Sequence, residues 1–229
     1  MRRSRPVLRF PERVTRIGVM VAAGVLLSSC GALHPGAAAV VGDQTISMSK
    51  VDQVAGDYCH AITKQLQGDS QIVPLNFFRG GVAGTLALRS AAEQVAAEYG
   101  VEPESVYDHK LTDLQKATVN VPDEYKDAVI EVESTSAYVE GVEAAVGAAK
   151  DPTLGYIESQ KAGQSIFDDW LAQHDVTFDP SLGVTLQKGN IARKDDSLSY
   201  AVGTAAKNGG AANPDHQYAA ALPSGHRCG

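Results

Sequence analysis

Apolar residues recur at steps of three and four along most of the chain between residues 47 and 174. In the first such segment the repeating positions are Val51, Val54, Tyr58, Ile62 and Leu66. Residues with this spacing lie on one side of an α-helix. Aromatic residues make up only 6% of the chain, so we expect a light core of alanine and valine. These observations predict a mainly α-helical domain.

Start and stop signals divide the periodic region into about five helices. Ser47 is a typical capping residue for the first helix, and Gly100 is a typical left-handed stop for the second. The predicted helices cover residues 48–68, 75–99, 104–116, 123–146 and 151–174. Gly80 and Gly84 lie inside the second helix, where each costs about 1 kcal/mol relative to alanine, and we interpret them as sites of close helix packing. Trp170, the single tryptophan, is expected in the core.

Short β-prone segments stand at both ends of this helical region. Two of them flank the turn signal Gly42-Asp43-Gln44, which predicts a hairpin over residues 40–46. A further extended segment at 176–179 stops at Pro180. We expect this closing strand to pair with the hairpin and form a small β clasp. Beyond Val184 the period is lost, and the composition predicts a disordered tail over residues 185–229.

The N-terminal segment has the features of an export signal. Six arginines precede an apolar run at residues 17–27, which is shorter than the roughly 20 residues of a membrane-spanning helix and is typical of a signal peptide. Leu27-Ser28-Ser29-Cys30 then resembles the lipobox of bacterial lipoproteins, whose cysteine is acylated with fatty acids such as palmitate. The resemblance implies a signal peptide at 1–29, a lipidated tether at 30–38, and attachment to the extracytoplasmic face of the cell membrane through Cys30.

An ordinary signal peptide with an incidental cysteine, or an uncleaved anchor, are the alternatives. The route of export stays open.

Two cysteines remain once Cys30 is assigned to the lipid. Disulfides persist in exported proteins, so a Cys59–Cys228 pair is one possibility. The other is that Cys59 is a small buried thiol beside the apolar face of the first helix, with Cys228 free in the tail. Neither cysteine has the spacing of a zinc or redox site.

Charge and motif content exclude several classes of function. Without residues 1–29 the chain has 14 basic and 26 acidic residues, a formal charge of −12. Nucleic-acid binding requires a basic surface, so no nucleic-acid partner is expected. The histidines are dispersed, and no nucleophile elbow, P-loop or HExxH motif occurs. The sequence therefore predicts no enzymatic activity, no cofactor and no metal site, and the acid clusters are interpreted as solvated faces: Asp168-Asp169, Asp195-Asp196, and Glu131 with Glu133.

Three segments resemble the SurA-type chaperone domain. Val41, Gly42, Asp43, Ile46 and Ser47 match the opening of that family, where a short β piece introduces the first helix. Residues 91–106 resemble its junction between helices, and residues 176–183 resemble its closing strand. The resemblance implies a SurA-like helical domain at residues 39–184.

The chain departs from that family in one respect. Related folding factors insert a parvulin domain before the closing strand, whereas residues 147–177 leave room for one helix. The resemblance thus implies no prolyl isomerase activity. Together with the lipobox at Cys30, it implies a membrane-anchored chaperone or holdase that binds unfolded or exported polypeptides. The alternative is a structural or accessory lipoprotein that docks one specific partner in the cell envelope.

Overall fold

The first two helices form where the start and stop signals place them. The structure, a computed structural model, describes residues 35–194, 202–209, 211 and 215–229. Its first elements are β1 (Ala37–Val41), β2 (Gln44–Ser47), α1 (Met48–Gly68), β3 (Val73–Pro74) and α2 (Leu75–Tyr99). The Ser47 hydroxyl caps α1 by accepting the Lys50 N–H at 3.2 Å. Gly100 ends α2 with φ of +64°, a conformation that glycine adopts without a Cβ clash.

The predicted long fourth helix is in fact two helices. The next elements are α3 (Ser105–Ala117), α4 (Asp123–Glu133), α5 (Thr135–Lys150) and α6 (Tyr156–Gln173). Ser134 separates α4 from α5, and the Thr135 hydroxyl donates to the Glu131 carbonyl at 2.7 Å. Hydroxyl bonds of this kind bend helices. The prediction of one helix over residues 123–146 is therefore wrong. The apolar period continues across the interruption at Ser134, so periodicity alone did not reveal the break.

The β clasp is confirmed. After α6 the chain forms β4 (Val176–Phe178), which pairs antiparallel with β1, with Val40 opposite Thr177. β1 also pairs antiparallel with β2, so the sheet has the order β2-β1-β4. Both ends of the helical body meet in this sheet. The mainly α fold with a small β component is as predicted.

The prediction of a disordered tail is wrong in the described parts of residues 185–229. β5 (Val184–Gln187) and β6 (Asn190–Arg193) form an antiparallel hairpin, whose turn residues Lys188 and Gly189 have positive φ. α7 (Thr204–Gly209), α8 (His216–Ala221) and β7 (Arg227–Cys228) follow, and β7 pairs with β3. Apolar contacts order the hairpin, since Val184 is buried against α1 and α2.

The N-terminal boundary also shifts. Ala37 and Ala38, which the sequence assigned to the tether, are buried in β1. The predicted signal peptide and Cys30 lie outside the described residues.

α2 contributes to two clusters of buried side chains. The first unites the β1 sheet with α2, α5 and α6, and it includes Val41, Val95, Val142, Phe167 and Trp170. The second unites α1, α2 and α4 with the chain around β5. Trp170 thus lies in the core, as expected. Four fully buried alanines of α2 let its neighbours approach closely: Ala83, Ala87, Ala91 and Ala92.

Gly80 and Gly84 of α2 pack against the β5–β6 hairpin and the turn that precedes it, not against a helix. A Cβ at Gly80 would lie 2.5 Å from the Leu182 carbonyl oxygen, and one at Gly84 would lie 2.7 Å from the Ile191 side chain. The prediction of close helix packing at these glycines is wrong. Such packing occurs instead between α5 and α6, where a methyl group at Gly163 would overlap the backbone of Glu143.

Candidate functional site

The structure joins Cys59 of α1 to Cys228 of β7 in a disulfide, with their Cα atoms 5.6 Å apart. The sequence left open whether Cys59 and Cys228 are paired or free, and in the structure they are paired. Cys228 is buried, and its neighbour Arg227 pairs with Pro74 of β3. The disulfide ties the C-terminal end of the chain to the first helix.

A cleft of about 600 Å³ lies between the β1–β2 hairpin, α2 and α6. Its polar side chains bind other parts of the protein. The Gln94 amide donates to the Val41 carbonyl at 2.8 Å, and the Trp170 indole donates to Glu98 at 3.0 Å. Glu93 pairs with Arg89 at 2.7 Å. The Gln94 bond holds β1 of the clasp against α2, the Trp170 bond joins α6 to α2, and the Arg89–Glu93 pair lies within α2. We therefore assign these groups to structural contacts.

A second cavity, which we call the groove, has a volume of about 520 Å³. It lies where α2, the α4–α5 junction, α6 and the β5–β6 hairpin meet. Its apolar lining consists of Leu88, Val132, Val139 and Ile191. Ile191 is 38% exposed, and the other three are half-buried. The groove thus presents apolar surface from four elements, α2, α4, α5 and β6, to solvent.

Three glutamates also line the groove, and none of its lining residues is Lys, Arg or His. Glu133 accepts a hydrogen bond from the Tyr58 hydroxyl; burial first, and this carboxylate second, raise the pKa of Tyr58. Glu140 accepts from the Tyr156 hydroxyl at 3.0 Å. Burial and that carboxylate raise the pKa of Tyr156 to about 12. The groove is therefore negatively charged as well as apolar.

The third glutamate, Glu143, is 7% exposed. Burial is the main cause that raises its pKa to about 7, and the negative charges of Asp168 and Glu140 raise it further. A hydrogen bond with Gln160 acts in the opposite direction. The burial follows from the close contact of Gly163 with the Glu143 backbone. This carboxyl group therefore gains or loses its proton near neutral pH.

Glu143 is not among the site residues predicted from the sequence, although a signal for it is present. Glu143 lies four residues after Val139 and three before Val146, within the apolar period of α5. An acid at such a position is expected to be buried.

The interpretation of the acid clusters as solvated faces needs correction in two places. Asp168 is half-buried and its charge acts on Glu143, while Glu131 pairs with Lys50 at 2.8 Å. Asp195 and Asp196 lie outside the described residues.

Among the described residues, no group of three or more His, Cys, Asp or Glu side chains is placed to hold a metal ion. No helix in the described part of the chain is long and apolar enough to cross a bilayer.

No protein-family model, curated protein or solved structure matches the chain.

Proposed function

We propose that this chain is a membrane-anchored, non-catalytic holdase that binds unfolded or exported polypeptides at the extracytoplasmic face of the cell membrane. The groove is the observation that carries this proposal. Its volume lies within the range of ligand-binding pockets, about 300–1,000 Å³. Its lining combines apolar side chains with hydroxyl, amide and carboxylate groups, and an extended polypeptide offers partners for each of these.

Exposed apolar side chains outside the groove also support the proposed binding of polypeptides. Ile157 at the start of α6 is 66% exposed, and the neighbouring Tyr156 is 41% exposed. Tyr156 donates its hydroxyl proton to Glu140, which lines the groove. The apolar surface thus continues from the groove onto α6, as is expected where polypeptides bind.

The membrane anchor belongs to the same proposal. It rests on the lipobox that ends at Cys30, and two or three acyl chains on that residue hold a protein firmly in a membrane. The Cys59–Cys228 disulfide supports an oxidising compartment outside the cytoplasm. Loss of membrane association in a Cys30→Ala chain is the corresponding readout.

The test is suppression of aggregation of a chemically unfolded client by the full chain. Ser136 is an exposed residue of the groove wall, so Ser136→Trp fills the groove without removing a core contact. Ser165 is an exposed serine of α6 outside the groove lining, and Ser165→Trp is the matched control. We expect the wild type and Ser165→Trp to slow aggregation at equimolar ratio, and Ser136→Trp to lose most of this effect.

Two results would contradict the proposal. One is failure to slow the aggregation of any client; stoichiometric capture of a single envelope protein would then favour the accessory role. The other is acceleration of proline isomerisation, which takes tens to hundreds of seconds without catalysis, because that would show an enzymatic folding activity.

A further inference from the structure

We infer that the groove binds segments in which a lysine or arginine is flanked by apolar residues, with the basic side chain pairing with the Glu143 carboxylate. This inference rests on the proposed function and specifies its substrate class. It is carried by the groove itself, by the burial of Glu143 and by the sign of the charges around it.

A buried carboxylate is costly unless a cation or several hydrogen bonds compensate it. Gln160 hydrogen-bonds to Glu143, but an amide is neutral. The carboxylate has room for further donors, since its two oxygens together accept about four hydrogen bonds. A cationic side chain in the groove would supply the charge that the protein leaves uncompensated at this position.

The neighbouring charges favour the same occupant. Asp168 and Glu140 both act on Glu143 and both are negative. A basic side chain would therefore be attracted by three carboxylates, whereas an acidic segment would be repelled by them. The net charge of −12 for residues 30–229 steers basic segments towards the molecule as a whole.

The apolar lining explains why a bare cation is not the preferred ligand. Val139 lies one turn before Glu143 on α5, while Leu88 of α2 and Ile191 of β6 supply lining from two other elements. The methylene groups of lysine and arginine pack on such surface while the charged end reaches a polar partner. Apolar neighbours in the same segment would cover the rest of the lining.

Binding of a cation should depend on pH. The titratable groups around Glu143 are Glu140 on its own helix, Asp168 and Tyr156 on α6, and Glu133 at the end of α4. The lining residues from α2 and the β5–β6 hairpin carry no charge. Glu143 is ionised above about pH 7, so the basic segment binds more tightly as the pH rises from 6 to 8.

The experiment uses the full chain and two fluorescein-labelled peptides with the same apolar residues. One carries a central lysine, and the other carries norleucine, which has a similar shape and no charge. At pH 8 we expect the lysine peptide to bind about tenfold more tightly by fluorescence anisotropy, the usual effect of one charge-assisted hydrogen bond. Glu143→Gln should reduce this ratio to near one.

Asp169→Asn is the matched control, because it removes one negative charge from an exposed position of α6 outside the groove lining. This variant should keep the tenfold affinity ratio, and its affinity for the lysine peptide should still rise between pH 6 and 8. Equal binding of both peptides to the wild type would overturn the inference and leave the proposed function standing.

Absence of binding by either peptide, together with unsuppressed aggregation, would overturn the proposed function itself. A fall in the number of peptide-binding sites per chain at high protein concentration, together with a dimer in sedimentation, would show that a second copy of the chain occupies the groove. That result would also overturn the inference.

Discussion

Glu143 occupies a position in α5 that the helical period assigns to an apolar side chain. Its backbone contacts Gly163 of α6, so the two helices approach too closely for water to surround the carboxyl group. The hydrogen bond with Gln160 offsets only part of the lost hydration, because the pKa remains raised to about 7. The residue therefore lowers stability whenever it is ionised, and the energetic cost depends on pH.

This cost predicts a measurable dependence of stability on pH. Between pH 4.5 and 7 the unfolded chain releases the proton of this group while the folded protein retains it. The free energy of unfolding should therefore fall as the pH rises through this window, by about 3 kcal/mol, and the contribution should level off above it. Glu143→Gln should remove this slope and be more stable than the wild type at pH 8.

Urea unfolding from pH 4.5 to 8 measures the effect. Asp169→Asn is again the control, and its curve should follow that of the wild type. A Glu143→Gln curve parallel to the wild type would show that Glu143 ionises equally in both states.

At the scale of elements, the contact between α5 and α6 depends on two glycines. Gly163 of α6 lies against the Glu143 carbonyl, and Gly147 of α5 lies against the Ser159 carbonyl. Both neighbours are backbone atoms within helices, which cannot rotate aside as a side chain can. The absence of a Cβ at these two positions allows α5 and α6 to pack closely.

We therefore predict that Gly163→Ala lowers the free energy of unfolding by about 3 kcal/mol, at the upper end of the usual cost of overpacking. Gly81→Ala in α2 is the matched control, because a Cβ there has open space around it. It should raise stability by about 0.5–1 kcal/mol, the helix-propensity difference between the two residues. Similar changes for both variants in urea unfolding would show that α5 and α6 can move apart at little cost.

The β5–β6 hairpin is the second element that shapes the groove. Gly80 and Gly84 of α2 leave space for Leu182 and Ile191, and Ile191 then forms part of the groove lining. The hairpin thus completes a binding surface that the helices alone would leave open.

At the scale of the whole molecule, the disulfide connects residues that are 169 positions apart. It holds β7 against β3, and the buried Ala219 of α8 lies in the same C-terminal segment. Closing so long a loop strongly restricts the unfolded chain.

Removing this disulfide should lower the free energy of unfolding by about 2–5 kcal/mol. Cys228→Ser is the test variant, and Cys30→Ser is the control that keeps the pair intact. The midpoint of urea unfolding should fall on addition of dithiothreitol for the wild type and for Cys30→Ser, but should stay constant for Cys228→Ser. An unchanged wild-type midpoint under full reduction would show that the disulfide contributes nothing to stability.

The sequence alone determined those features that arise within one segment or from a clear end signal. The cap at Ser47 predicted the start of α1, and the stop at Gly100 predicted the end of α2. The β-prone segments at both ends of the helical region predicted the clasp. The β5–β6 hairpin also had a local signal, since Lys188-Gly189 separates two short alternating strands, but the glycine-rich composition around it concealed that signal.

Only the tertiary structure decided the groove, the pairing of Cys59 with Cys228 and the environment of Glu143. The groove lining comes from positions between Thr85 and Ile191, and no periodicity within one helix relates them. These lining residues come together only because α2, α5, α6 and the hairpin pack closely. That close packing depends on Gly84, which lies against the Ile191 side chain, and on Gly163, which lies against the Glu143 backbone. Sequence spacing reports which residues share a face, whereas burial of a charge depends on what packs against that face.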